Sequence, residues 1–217
     1  ATPGAADNMV KAVRAMYRWA QGQGIVRDNP AAGIERINRS TGATPWTVDD
    51  LEEFRARHPR GTPAHLALTL FMFTGCRISD AIRLGRAHEV RIDWQPAKRG
   101  SARVTIPVLP PLAEAIAAQT VVGPAYLLTR AGQPFRSAEG LRNRLAKWCA
   151  QAGIEGRSAH GIRKAGGQLM ALMGATQHEI MAVHGHTQAS TSEVYTRGVD
   201  RQRLAASAMS KLGGLDW

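Results

Sequence analysis

The sequence predicts a mainly α-helical protein with one small antiparallel sheet of three strands, an α+β chain. Apolar residues recur at helical spacing through most of its length. Two short runs of strand character, Glu89–Asp93 and Arg103–Val108, flank a Gly-containing turn over Gln95–Ser101. A further apolar run, Ala125–Thr129, reads as the third strand.

Element by element, Met9, Val13, Met16, Tyr17 and Ala20 form the apolar stripe of a first helix, with Lys11, Arg14 and Arg18 on its other faces. Gly22 and Gly24 end it, and Asn29-Pro30 starts a turn. Ala31–Pro45 has no strong period and reads as a linker. A lone amphipathic helix ahead of a linker has nothing local to pack on. Residues 1–40 are therefore expected to be the tail of a domain whose remainder lies outside this sequence, and 41–217 the main body. Thr47, with Asp50 three residues on, makes a capping box for a helix to about His58. Ala64–Thr74 is an apolar helix stopped by Gly75, and Ser79–Leu84 continues helically. Pro110-Pro111 opens a helix to about Thr120, since proline suits a first turn. From Ser137 onward the spacing is helical over 137–152, 160–173, 176–184, 189–196 and 200–212.

Composition narrows the function classes. The 217 residues carry 28 Lys and Arg against 17 Asp and Glu, a net charge of +11, which favours a polyanionic partner such as nucleic acid. A hydrophobic share of 44% supports a packed core and argues against general disorder. The 2 cysteines, Cys76 and Cys149, cannot build a disulfide scaffold and suit a reducing, cytoplasmic setting. No apolar run reaches the roughly 18 residues of a membrane span, and the start does not resemble a signal peptide.

Several side chains have chemistry to offer, though each alone fits a blander role. Arg77, in Thr74-Gly75-Cys76-Arg77, follows a glycine at a helix junction, where a guanidinium can meet a phosphate or simply face solvent. His160 and Arg163 share a helix face at i and i+3, suited to a phosphate or to a cap with a surface cation. Lys98, in a hairpin turn, can donate a proton to a leaving group or serve solubility. Tyr195 is one of 3 tyrosines; Tyr17 and Tyr126 lie in apolar stretches and read as core. Tyr195 lies in the polar run Ser190–Arg197, which predicts a partly exposed phenol able to act as a nucleophile. His178, His184 and His186 cluster beside Glu179, but HExxH spacing and CxxC pairs are missing, so no metal is expected. There is no Walker or GxGxxG motif, and no cofactor is expected.

The order Arg77, Lys98, His160 with Arg163, His186, Tyr195 is more specific than any member. In that order and spacing the chain resembles the tyrosine recombinase (phage integrase) family. The matching stretches are Phe73–Asp80, the Lys98 hairpin with Val104–Pro107, His160–Arg163 and Gly185–Thr196. They span about residues 47–212, and Asn29–Ile34 resembles the end of the family's core-binding domain and its linker. The resemblance implies the tyrosine recombinase catalytic-domain fold and cleavage and rejoining of double-stranded DNA without metal or ATP. Tyr195 would form a 3′-phosphotyrosyl link, Arg77 and Arg163 would neutralise the phosphorane, and His186 would donate to a non-bridging oxygen. Lys98 would protonate the leaving 5′-oxygen, and His160 would assist proton removal or hold the phosphate. Asp80 matches an acidic position that supports the first arginine. The resemblance also implies tetramers on DNA, with the C-terminal helix packing on a neighbouring subunit, in a phage or mobile-element integrase. A type IB topoisomerase shares the chemistry, and a DNA-binding module that has lost catalysis is the non-enzymatic alternative. Two departures stand out: Lys164 follows Arg163 where many relatives have His, and His184 precedes Gly185 where the family usually has Leu.

Overall fold

The computed structural model describes residues 2–38, 42–85, 91–193, 195–196, 205–206 and 209–210. The chain divides into two compact units, Ala1–Gly42 and Ala43–Trp217.

The first unit is built on helix α1, Pro3–Gly22. Thr2 caps it by accepting from the Ala5 amide, and Pro3 sits in the first turn, where its missing N–H is no loss. The chain after Asn29 runs back along the helix because two polar side chains of α1 hold it. Arg14 donates to the carbonyls of Ala31 (2.8 Å) and Ile34 (2.6 Å), and the Asp7 carboxylate accepts from the amides of Ile37 and Asn38, each at 3.0 Å. No residue of α1 is buried; Met9, Met16 and Trp19 are exposed, and Tyr17 is half-buried.

In the second unit the order is α2 (Val48–Arg57), α3 (Pro63–Thr74), α4 (Ile78–Ala81), β1 (Arg91–Trp94), β2 (Val104–Pro107), α5 (Pro110–Ala117), α6 (Ala138–Gln151), α7 (Ala159–Leu172) and α8 (Gln177–His184). Residues 189–193 and 195–196 are helical. The capping box at Thr47 and Asp50 forms in full, and Asp50 also accepts from Arg157 Nε at 2.7 Å. Helix α3 is apolar on every side, which suits a helix enclosed by others; it packs on α5 and α7, with Leu66, Leu70 and Phe71 fully buried.

Strands β1 and β2 pair antiparallel, Ile92 opposite Ile106 and Trp94 opposite Val104. These four side chains face the core, while Asp93 and Thr105 face outward, the period-2 alternation of a sheet with one wet face. Arg103 donates to both oxygens of Asp93 on that outer face, at 2.7 Å each.

The sheet has two strands among the described residues, not the three expected. Ala125, Tyr126 and Leu127 are buried and Leu128 and Thr129 half-buried, but the hydrogen bonds of the run go elsewhere. The Tyr126 amide donates to Leu84, just after α4, and Leu128 makes an isolated bridge to Pro134. The apolar run signals burial, and periodicity alone does not separate that from pairing. The expected strand start at Glu89 lies outside the described residues. Two helices stop short of their expected ends: α4 closes at Ala81, with the Arg83 and Leu84 amides turned onto Asp80 O, and α5 closes at Ala117. The expected 200–212 helix lies mostly outside the described residues, of which 205–206 and 209–210 are helical.

Candidate active site

Two helices end at one place. Both α3 and α8 stop on a glycine in the left-handed conformation, Gly75 (φ 57) and Gly185 (φ 60), which a residue without a Cβ adopts freely. Arg163, from α7, lies between these ends and is 3% exposed. Its NH1 donates to the Gly75 carbonyl and its NH2 to the His184 carbonyl (2.6 Å) and to His186 Nε2 (2.8 Å). A cation is favourable where helix carbonyls are left unpaired. Burial pulls Arg163 down to about 10, with Arg77 pushing the same way, so the guanidinium is still charged at neutral pH.

The contacts of His186 assign its tautomer. Nε2 accepts from Arg163, so the proton is on Nδ1, which donates to Ser192 Oγ at 2.7 Å. Burial first, and then Arg163, Arg77 and Lys98, hold this imidazole down to about 4, so it is neutral at pH 7.

Arg77 precedes α4 and reaches the β1–β2 hairpin, donating from NH1 to Ser101 Oγ at 3.2 Å. The hairpin is fastened at three points. The Ala97 amide donates to the buried Asp80 carboxylate (2.8 Å), the Ala102 amide to Gly185 O (3.3 Å), and Thr187 Oγ1 to Gly100 O (2.9 Å). Asp80 thus anchors the residue immediately before Lys98. Between hairpin and α8 lies an open cleft of about 320 Å³ lined by Arg77, Lys98, Arg99, Ser101, His186 and Thr191.

Tyr195 is 7% exposed, against the partial exposure expected from its polar sequence setting. The reason is Gly167 on α7: with no side chain there, the phenol ring settles so close that an added Cβ would lie 3.1 Å from Tyr195 Cγ. Burial raises the phenol's pKa, and the charges of Arg163 and Arg77 oppose that rise. His160 stays exposed yet feels the same cations: desolvation and then Arg163, Lys164, Arg77 and Lys98 lower its pKa. The six residues singled out from the sequence therefore share one positively charged neighbourhood. Among the described residues, no three His, Cys, Asp or Glu side chains converge as a metal site requires.

Sequence reasoning did not single out Ser101 and Ser192, because their roles depend on folding: each meets its partner across a turn that sequence spacing does not specify. The left-handed glycines had a readable signal, a glycine directly after an apolar helical run.

A model of the phage integrase family matches residues 44–201. The match takes in the mainly helical unit, its two-stranded hairpin, the basic cleft and the buried tyrosine. The chain belongs to the phage integrase family. It is 29% identical over 216 residues to the tyrosine recombinase XerC of Brucella suis biovar 1 (strain 1330), covering 88% of this chain and 66% of that one. It is 29% identical over 217 residues to XerC of Rhodospirillum centenum (strain ATCC 51521 / SW), covering 90% and 62%. The chain thus spans about two thirds of the length of these relatives. In fold it matches a lambda integrase dimer bound to a COC′ core site, with TM-score 0.71 and 17% identity over 89% of this chain and 59% of that one. It also matches the Tn1549 transposon integrase in complex with a circular intermediate DNA, with TM-score 0.67 and 16% identity over 91% and 78%. No helix among the described residues is long and apolar enough to cross a membrane.

Proposed function

We propose that this chain is the catalytic part of a site-specific DNA recombinase, which cleaves and rejoins strands through Tyr195. The phenol oxygen attacks a DNA phosphorus, the P–O5′ bond breaks, and a 3′-phosphotyrosyl link and a free 5′-hydroxyl result. The phenol proton leaves to a base, the role that the family resemblance implies for His160, an exposed imidazole whose pKa desolvation and the neighbouring cations lower. The Lys98 ammonium supplies a proton to the departing 5′-oxygen. Arg77 and Arg163 face the charge that develops on the phosphorane, a role in which fixed cations outweigh other contributions. His186 donates to a non-bridging oxygen once the phosphate displaces its contact with Arg163 and the imidazole takes its other tautomer, with the proton on Nε2 and Nδ1 accepting from the Ser192 hydroxyl. The phosphotyrosyl link conserves the bond energy, so a 5′-hydroxyl of a second strand reverses the step without ATP.

One observation carries this reading: Arg163 and His186 are in direct contact, and Arg77, Lys98 and Tyr195 lie within the same field, although they come from four separate stretches of chain. The lambda integrase structures, a dimer on a core site and a tetramer on a Holliday junction, support assembly of several copies on DNA, and the C-terminal helix is read as the joining element. Residues 1–40 are read as the end of a core-binding domain and its linker, and the protein as working on DNA in the cytoplasm of a bacterium or its phage.

The test is covalent trapping. Nicked suicide duplexes carrying the element's attachment region should give an SDS-resistant adduct with the full-length protein, and Tyr195→Phe should abolish it while leaving DNA affinity intact. Absence of an adduct from the full-length protein overturns the enzymatic reading.

A further inference from the structure

His184 is 1% exposed, and neither of its ring nitrogens has a hydrogen-bond partner among the described residues. Buried polar groups are nearly always paired, because leaving one unpaired costs its full desolvation. An apolar side chain there would leave no polar atom unpaired. The imidazole therefore calls for a reason outside packing.

Its surroundings supply one. The ring lies between the two groups that would handle the phosphate. Its centroid is 5.3 Å from the His186 ring at 73° and 5.6 Å from the Tyr195 ring at 85°, edge-to-face in both cases. Two glycines wall the ring in. A Cβ on Gly75 would fall 2.5 Å from His184 Cδ2, and one on Gly167 would fall 3.1 Å from Cε1. A flat ring so confined cannot turn, and its polar edges favour perpendicular contact with neighbouring rings. Leucine has no flat edge to offer and three-dimensional bulk at its branch.

We propose that His184 is a positioning residue, a rigid spacer that sets the separation and tilt of Tyr195 relative to His186. The proposal rests on the catalytic reading given above for those two residues. The unsatisfied nitrogens are what the fold gives up for that geometry, in keeping with the tendency of local rules to be broken at functional sites.

The test is His184→Leu, read in four ways. The urea midpoint at pH 7 should hold or rise, because an unpaired polar group is removed. DNA affinity should stay within about two-fold, since His184 faces no solvent. The single-turnover rate of adduct formation should fall on the order of 10- to 100-fold, the scale of a misplaced reacting group. In protein labelled at the tyrosine ring carbons, the Tyr195 resonances, identified by their loss in Tyr195→Phe, should shift without DNA present. Loss of folding, an unchanged adduct rate, or unmoved Tyr195 resonances would each overturn the proposal. If the wild-type protein forms no adduct, the catalytic reading fails by itself, and the stability and resonance measurements still decide whether His184 sets the Tyr195 ring.

Discussion

Gly185 joins His184 to His186, and its replacement by alanine tests how the site is held together. Its φ of 60 lies in the left-handed region, where a side chain costs about 1–2 kcal/mol. An added Cβ would also lie 2.9 Å from the Ala102 carbonyl and 2.9 Å from Val104 Cγ2. One neighbour is backbone and the other is a core side chain of β2, so neither can swing aside, and such crowding costs typically about 1–3 kcal/mol. Gly185→Ala should thus destabilise by roughly 2–5 kcal/mol. Gly100, in the hairpin, provides the matched control: its φ is 78, but a Cβ there meets nothing within 4 Å, so Gly100→Ala should show the conformational cost alone. Urea unfolding followed by tryptophan fluorescence suits the comparison, because Trp46, Trp94 and Trp148 lie in the core. The two variants should differ by about 1–3 kcal/mol. Equal destabilisation by both would refute the argument that the hairpin and the end of α8 are in hard contact. Gly185→Ala should also slow adduct formation, since relief of the clash pushes His186 away from the hairpin.

Asp80→Asn keeps an oxygen to accept from the Ala97 amide, whereas Asp80→Ala frees the hairpin beside Lys98. Single-turnover cleavage should fall on the order of 100-fold in the alanine variant and far less in the asparagine variant; equal losses would show that charge, not the Ala97 bond, matters. Stability should depend on acid. His184 and His186 are held to about 2 and about 4 against an ordinary 6.5, so unfolding takes up protons between those values; their contribution is complete above the unfolded pKa and declines as pH falls through it. Urea midpoints across that range should give His184→Leu a slope about one proton smaller than wild type, and identical slopes would contradict the buried, neutral state of His184. Finally, DNA affinity by fluorescence anisotropy should fall steeply and linearly in log–log form with salt, as counterion release requires; a flat profile would count against phosphate-led binding.

Much of the helical architecture was legible because it is local. Caps and apolar spacing place α3, α6, α7 and α8 within a residue or two of the observed ends. The Thr47–Asp50 box formed as its spacing predicts. What failed was a judgement about partners. Ala125–Thr129 has the composition of a strand, but its amides find Leu84 and Gln133 instead of β2, and no local pattern encodes that choice. The candidate site shows the same division. Its residue types could be picked out in order along the chain, but the burial of Tyr195 depends on Gly167, 28 residues earlier, and the tautomer of His186 depends on Arg163 and Ser192. His184 was visible as a departure, and its meaning needed the rings on either side of it.

The bonds from Arg163 to the Gly75 and His184 carbonyls make one side chain serve as a shared clasp for two helix tails. Removing it would leave two enclosed oxygens bare, so its loss would damage the scaffold as well as any reaction, whereas Tyr195→Phe deletes one hydroxyl. Mutational drift should therefore treat the two unequally. In copies of such an element decaying without selection for strand cleavage but retained for DNA occupancy, the arginine should outlast the tyrosine. An arginine that looks preserved for chemistry would then be a record of folding.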